Sequence, residues 1–173
     1  MGVSQSAQRR KEVELILALC DNDLGALQVQ IEEGVDVDCF DDEQSRPLHV
    51  AASLGREAAC RALLSAGADV KAQGQLGGTP LHAAASANQL TTATLLLEAN
   101  VLVDARDESA LTPLHRAAQR PASAPLAQLL LDAGAHIDAR NVGGYTPLHV
   151  ASMCGYANRL RGVNRYFSRP TQA

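Results

Sequence analysis

Four short stretches of this sequence share one pattern and decide its fold: RPLHVAA (46–52), TPLHAAA (79–85), TPLHRAA (112–118) and TPLHVAS (146–152). Their first residues are 33, 33 and 34 positions apart. A second motif follows each of the first three, as ALLSAGADV from residue 62, TLLLEANVLV from residue 94 and QLLLDAGAHI from residue 128. A fixed period of this length is typical of proteins in which one structural unit is copied along the chain.

The residues of each unit predict two short helices. Thr caps the first helix, and Pro fits its first position, where the missing N–H costs nothing. A turn near Gly55 or Asn88 precedes the second helix, which ends at Gly67, Asn100 or Gly134 because these residues tolerate the left-handed conformation. Helices of two to three turns are unstable alone. The pairs must therefore stack, which predicts an all-α solenoid.

The third unit, GGTPLHAAASANQLTTATLLLEANVLVDA (77–105), resembles the ankyrin repeat almost throughout. The resemblance covers residues 12–156 and implies an ankyrin repeat solenoid, with helix pairs joined by β-hairpin-like loops. We expect four full repeats and a partial fifth, at 12–40, 41–73, 74–106, 107–140 and 141–156. The first lacks the TPLH signature, as terminal repeats often do, but Leu15 and Gly34 stand one repeat length before Leu48 and Gly67.

One departure from the pattern concerns a helix cap. Arg46 stands where the later units have Thr79, Thr112 and Thr146. The helix that begins beside Arg46 is therefore expected to lose about 1 kcal/mol of capping stabilisation.

Both ends of the chain lie outside the repeats. Residues 1–11 are predicted to form a flexible tail, and MGVSQS matches the pattern for myristoylation of Gly2; an ordinary polar terminus is the alternative. Residues 157–173 carry four arginines and no acid. They are expected to form either a basic capping helix, with Leu160, Val163 and Phe167 at helical spacing, or a disordered tail. The sequence leaves both alternatives open.

Charge and cysteine content limit the function. Residues 12–154 hold all 19 acidic residues but only eight of the 15 basic ones, which argues against nucleic-acid binding.

No apolar run approaches the roughly 18 residues that span a bilayer. Cysteines 20, 39, 60 and 154 have no metal or redox spacing, so we expect reduced and mostly buried thiols. We predict a cytoplasmic monomer, with the nucleus or the membrane periphery as alternative locations.

Catalytic signatures are not evident. Four histidines recur at one repeat position, His49, His82, His115 and His149, which the resemblance implies are structural, while His136 is expected to be exposed. The glycines of GQLGG (74–78) and VGGY (142–145) do not follow a strand of a nucleotide-binding unit. We therefore predict that the chain is not an enzyme and binds no metal or cofactor.

The resemblance implies a binding surface for another protein, on the hairpin tips and the concave face of the first helices. The predicted tip residues are Asp42, Glu43, Ser45, Gln75, Leu76, Gly78, Glu108, Ser109, Leu111, Val142, Gly143 and Tyr145. The predicted inner-helix residues are Ser53, Leu54, Ser86, Ala87, Gln119, Arg120, Met153 and Cys154. Leu76, Leu111 and Tyr145 either form an exposed apolar row that anchors a partner or pack against neighbouring hairpins.

The first tip is acidic, because residues 32–43 carry seven acids and no base. Such a run is either a solvated face or a surface that attracts a basic segment of the partner. The sequence thus favours an adaptor, a scaffold or an inhibitor. The alternatives are an adaptor tethered to a membrane through acylated Gly2, the only membrane contact expected, and a substrate-recruiting subunit of a larger enzyme complex.

Overall fold

A computed structural model describes residues 2–41 and 44–155 of the 173-residue chain. The described residues form nine α-helices and no β-strand. The helices are α1 (Gly2–Asp21), α2 (Leu24–Glu32), α3 (Pro47–Ser53), α4 (Glu57–Ser65), α5 (Pro80–Ser86), α6 (Leu90–Glu98), α7 (Pro113–Ala118), α8 (Ala124–Asp132) and α9 (Pro147–Met153).

The helices stack in two rows. The inner row is α1, α3, α5, α7 and α9, and the outer row is α2, α4, α6 and α8. Each helix packs on the next member of its own row, and each outer helix packs on the inner helix that precedes it. This arrangement confirms the all-α solenoid that the repeats predict.

Small side chains allow the inner helices to approach closely. The alanine pairs at 51–52, 84–85 and 117–118 are fully buried between neighbouring repeats. Leu63, Leu96 and Leu130 of the outer helices are buried to the same extent. The core is therefore a continuous layer of alanine and leucine between the two rows, and each repeat supplies one section of it.

The recurring histidines join each repeat to the next. The backbone N–H of Thr79 donates to Nδ1 of His82 (3.1 Å), and Nε2–H of His82 donates to the carbonyl of Leu111 in the following repeat (2.9 Å). His115 makes the same pair of bonds with Thr112 and Tyr145. The histidines are therefore structural, as the resemblance implied.

Arg46 changes this arrangement in the second repeat. Its side chain does not cap α3, and the buried Nδ1 of His49 has no hydrogen-bond partner. The Arg46 guanidinium instead donates to the carbonyls of Asp38 (2.7 Å) and Gln73 (3.2 Å) and lies 4.3 Å from the centre of the Phe40 ring. The missing cap is thus offset by bonds to the loops on either side.

These buried histidines predict a loss of stability in mild acid. Burial lowers the pKa of His49, His82 and His115 below the ordinary value of 6.5. The unfolded chain therefore binds more protons than the folded one near pH 6. The free energy of unfolding thus falls as the pH falls through 6.5, and it stops falling once the pH is below the folded-state pKa values. We expect the melting temperature to drop by several degrees between pH 7.5 and 5.5.

Calorimetry over this pH range measures the effect. His115→Gln should reduce the dependence of the melting temperature on pH, because it removes one of the buried imidazoles whose pKa is lowered. A melting temperature that is constant over the range would contradict the prediction.

The first helix differs from the predicted boundary at residue 12. It begins at Gly2, so residues 2–11 are helical rather than a tail. Ion pairs stabilise this extension: Arg10 to Glu14 along the helix (3.0 Å) and Lys11 to Glu33 at the end of α2 (2.7 Å). Arg9 also donates to the carbonyl of Phe40, so the extension lies against the first loop. The predicted cap or tail at 157–173 lies outside the described residues.

Candidate functional site

A groove runs along the inner row of helices in the first half of the solenoid. It encloses about 610 Å³ between α1, α3, α5 and the neighbouring tips. Seven residues that the sequence predicts for partner binding line it: Ser45, Ser53, Leu54, Gln75, Leu76, Gly78 and Ser86.

The floor of the groove is built from short side chains. Val50 and Ser53 project from α3, and Ala83 and Ser86 from the same positions of α5. Residues three apart lie on one face of a helix, so both pairs point to the same side. The floor can therefore accept the main chain of a bound segment at close range. The sequence prediction included the serines but missed Val50 and Ala83, which the same helical spacing would have identified.

Leu76 forms the rim of the groove and has an uncommon backbone. Its side chain is 60% exposed, and its φ and ψ are 55° and 27°, in the left-handed region. This conformation costs a residue with a Cβ roughly 1–2 kcal/mol. The carbonyl of Leu76 accepts a bond from the N–H of Glu108 in the next tip (3.0 Å). Packing between the tips thus holds an exposed leucine in a strained position beside the groove.

Charged residues stand at the two ends of the groove. Asp41 lines the end near α1, and Arg116 of α7 lines the other. The Arg116 guanidinium pairs with Asp107 at 2.5 Å, and the Asp107 side chain is only 1% exposed. The charge of Arg116 is therefore largely compensated, whereas Asp41 belongs to the acidic run at 32–43.

Of the two alternatives for Leu111, the structure agrees with packing rather than with exposure. Only 9% of Leu111 is accessible, against 60% for Leu76 and 46% for Tyr145. Its N–H bonds to Asp107 (2.9 Å) and its carbonyl to His82, which draw the residue down onto the preceding repeat. The three residues therefore do not form a continuous exposed row, and the side chain of Leu111 can contribute to a partner contact only indirectly.

The remaining predicted residues lie beyond the groove, towards α9. Those that are exposed are Glu108, Ser109, Arg120, Val142, Gly143, Tyr145, Met153 and Cys154, and Ala87 and Gln119 are half-buried. Arg120 donates through Nε to the carbonyl of Ser86, so its side chain fastens one repeat to another. Asp42 and Glu43 lie outside the described residues. The groove brings together only the predicted residues of the second and third repeats.

An apolar pocket that the sequence prediction missed lies beside α1. Val13 and Leu17 of α1 are 44% and 53% exposed and face Phe40, which is 46% exposed. The pocket encloses about 100 Å³ and shares Ile16 and Asp41 with the groove. It therefore continues the groove towards the start of the chain. Its signal in the sequence is the apolar spacing of Val13 and Leu17 on one helical face.

Burial keeps two of the cysteine thiols neutral. Burial, followed by the charges of Glu12 and Asp36, raises the pKa of the Cys39 thiol to about 11. Burial raises the pKa of Cys60 to about 12. Cys39 and Cys60 are thus buried neutral thiols, as expected, but Cys20 and Cys154 are exposed.

Other kinds of site find no support in the part of the chain that the structure describes. There, no three His, Cys, Asp or Glu side chains converge as metal ligands. No helix among these residues combines the length and apolar character that crossing a bilayer requires. Gly2 is the first residue of α1, and its myristoylation stays a prediction.

Comparison with known families agrees with the repeats. A model of three ankyrin repeats matches residues 15–107, and a model of many ankyrin repeats matches residues 96–151. No individual curated protein gives a significant match. Ankyrin repeats generally mediate interactions between proteins. With these matches and its helix pairs stacked at a nearly constant interval, the chain belongs to the ankyrin repeat family.

Proposed function

We propose that this protein acts as a non-catalytic binding module that holds a segment of another protein in the groove along α1, α3 and α5. The observation that carries the proposal is Leu76, a strained and exposed leucine at the rim of a groove with a floor of small residues. Backbone strain concentrates at sites of function because the surrounding structure must maintain it.

The chemistry of the groove indicates what the segment contains. Leu76, Leu54 and the apolar pocket at Val13 and Leu17 offer contacts to large apolar side chains. Asp41 lines the same end of the groove, and Glu12 lines the adjoining pocket. Complementary charge steers association and selects partners. The bound segment is therefore expected to carry apolar residues flanked by Lys or Arg.

Replacing Leu76 by Asn tests the proposal. Asn tolerates the left-handed region, so the melting temperature should rise by about 1–3 °C, while loss of a central apolar anchor should weaken binding by about 2 kcal/mol, or roughly 30-fold. The measurement is capture of proteins from cell extract by the immobilised full chain, quantified by mass spectrometry for the native and variant forms.

Leu102→Asn is the matched control, because Leu102 is 59% exposed and does not line the groove. Proteins captured by the native chain should disappear with Leu76→Asn and persist with Leu102→Asn. Equal capture by the two variants would contradict the proposed site.

The role of this module in a larger assembly is a separate matter. The assignments as adaptor, scaffold or inhibitor, the membrane-tethered or substrate-recruiting alternatives, the monomeric state and the cytoplasmic location stay predictions from the sequence.

A further inference from the structure

The apolar pocket beside α1 lies at the start of the groove floor. Leu17 of α1 stands 33 positions before Val50, and Val50 stands 33 positions before Ala83. Equivalent positions of stacked inner helices line one face of a solenoid, so these three side chains form a single row. Leu17 is 53% exposed, while Val50 and Ala83 are half-buried. The row therefore begins with a large exposed side chain and continues with smaller ones.

Three large apolar side chains converge on this pocket. Val13, Leu17 and Phe40 line it and are 44%, 53% and 46% exposed. Single exposed apolar side chains are ordinary on a protein surface, whereas a concave group of them is typical of a binding site. The pocket encloses about 100 Å³, against about 610 Å³ for the groove. It therefore fits one side chain rather than a length of main chain.

Two arginines hold Phe40 in place. The Arg46 guanidinium lies 4.3 Å from the centre of the ring and donates to the carbonyl of Asp38 at 2.7 Å. Arg9 donates to the carbonyl of Phe40 at 3.1 Å. A site that is fixed before its partner arrives loses less conformational freedom on binding. The arginine that does not cap α3 thus supports a wall of the pocket.

The same pocket carries more negative than positive charge. Glu12, Asp41 and Arg9 line it, and the Arg9 guanidinium lies 3.8 Å from the Glu12 carboxylate. Two carboxylates therefore stand against one guanidinium. Complementary charge selects partners, so a Lys or Arg of the bound segment is favoured beside the side chain that fills the pocket.

The distance from the pocket to Leu76 sets the spacing within the segment. Leu76 lies at the tip that leads into α5, and the pocket lies beside α1, two helices earlier in the inner row. Packed helices are about 8–10 Å apart, so two steps cover roughly 16–20 Å. An extended chain advances about 3.3 Å per residue and covers this distance in about five or six residues. The short side chains of the floor favour an extended segment, because they admit its main chain at close range.

We propose that the pocket formed by Val13, Leu17 and Phe40 is a second anchor site for the segment that contacts Leu76. The segment is extended and carries two large apolar residues about five or six positions apart. A Lys or Arg lies beside the one that fills the pocket. This inference rests on the proposed function, since it requires the segment to lie in the groove.

Selection of random 16-residue peptides displayed on phage, with the immobilised full chain as bait, tests the spacing. Enriched peptides should share two large apolar residues about five or six positions apart, with a base beside one of them. A spacing of about 11 or more would indicate a helical segment and would overturn the proposal. A selection that enriches no peptide would contradict the proposed function and the second anchor together.

Variants of the full chain locate the second anchor, with affinities for a selected peptide measured by fluorescence anisotropy. Leu17→Gln should weaken binding about tenfold. The matched control is Leu24→Gln, because Leu24 is 44% exposed on α2 and lines neither the groove nor the pocket; it should change the affinity less than about twofold. Both variants should melt within about 2 °C of the native chain, since Gln forms helices nearly as well as Leu.

The peptide offers a second check on the same contact. When its apolar residue beside the base is replaced by Ala, Leu17→Gln should change the affinity less than about twofold, because the interaction is already lost. Unchanged binding by Leu76→Asn would contradict the proposed function itself. Weaker binding by Leu76→Asn together with unchanged binding by Leu17→Gln would overturn only the second anchor.

Asp41→Asn tests the preference for a base. The Asp41 carboxylate accepts from the N–H of Ser45 at 2.7 Å, and Asn141 makes the same bond to Tyr145 at 3.0 Å, so the variant keeps the turn. Its affinity for the peptide should fall about three- to fivefold at low salt, and the difference should shrink at high salt. Equal affinities at low salt would overturn the preference for a base.

Light scattering of the chain without peptide tests the other occupant. The mass should be that of one 18.2 kDa chain. Twice that mass, lost on Leu17→Gln, would show that a second copy fills the pocket and would overturn the proposal.

Discussion

Asp107→Ala is expected to lower the free energy of unfolding by about 3–5 kcal/mol. The Asp107 carboxylate accepts bonds from the N–H groups of Ser109 and Leu111, both at 2.9 Å, and pairs with Arg116 at 2.5 Å. Its side chain is 1% exposed and that of Arg116 is 25% exposed. Removal of the carboxylate leaves the Leu111 N–H buried without a partner, and an arginine without its counter-charge.

The matched control is Asp107→Asn, and the chain itself indicates its outcome. Asn141 occupies the equivalent position of the fifth repeat, where its side-chain oxygen accepts from the N–H of Tyr145 at 3.0 Å. Asn at 107 should therefore preserve the turn and lose only the pair with Arg116, at a cost of about 1–2 kcal/mol. Urea unfolding of both variants measures the difference. Equal losses for Ala and Asn would contradict this role of the carboxylate.

His82→Ala is the second large effect, at about 3–4 kcal/mol. Deletion of the ring removes its bonds to Thr79 and to the carbonyl of Leu111, each with a net contribution of about 1 kcal/mol. It also leaves a cavity at a site that is only 3% exposed, and incomplete relaxation around a cavity adds to the cost. The variant weakens the junction between the third and fourth repeats.

The form of the unfolding transition reports that junction. In a solenoid, cooperativity depends on the interfaces between neighbours, so His82→Ala should broaden the urea transition and reduce its slope. Leu102→Ala is the control, since Leu102 is 59% exposed and its truncation should cost less than about 0.5 kcal/mol. A transition that keeps its slope in His82→Ala would contradict the role of the histidine as a connector.

The helix pairs could be predicted from the sequence because their signals are local and repeated. Pro at 47, 80, 113 and 147 starts an inner helix each time. The exposure of Leu111 could not be predicted, since it depends on a carboxylate four positions earlier and a histidine from the preceding repeat. Tip position alone therefore does not decide exposure, since Tyr145 stands at the same position before its TPLH motif as Leu111 but is 46% exposed.

The extension of α1 shows a different limit. Residues 2–11 lack an apolar stripe, and their hydrophilic character is equally typical of a tail. Contacts made at a distance stabilise this segment, through Lys11 to Glu33 and Arg9 to the Phe40 carbonyl. These partners lie beyond the next helix in the chain or at its end, so the helical state of residues 2–11 could not be inferred from the residues around them.

The hydrogen bonds that the histidines make between repeats join equivalent positions: the carbonyls of Gly78, Leu111 and Tyr145 accept from the histidine of the unit before. A copied repeat unit would consequently bring both halves of each junction with it. The binding surface of such a molecule can grow or shrink by whole units during evolution. Its lining residues can change one unit at a time without disturbing the hydrogen bonds between repeats.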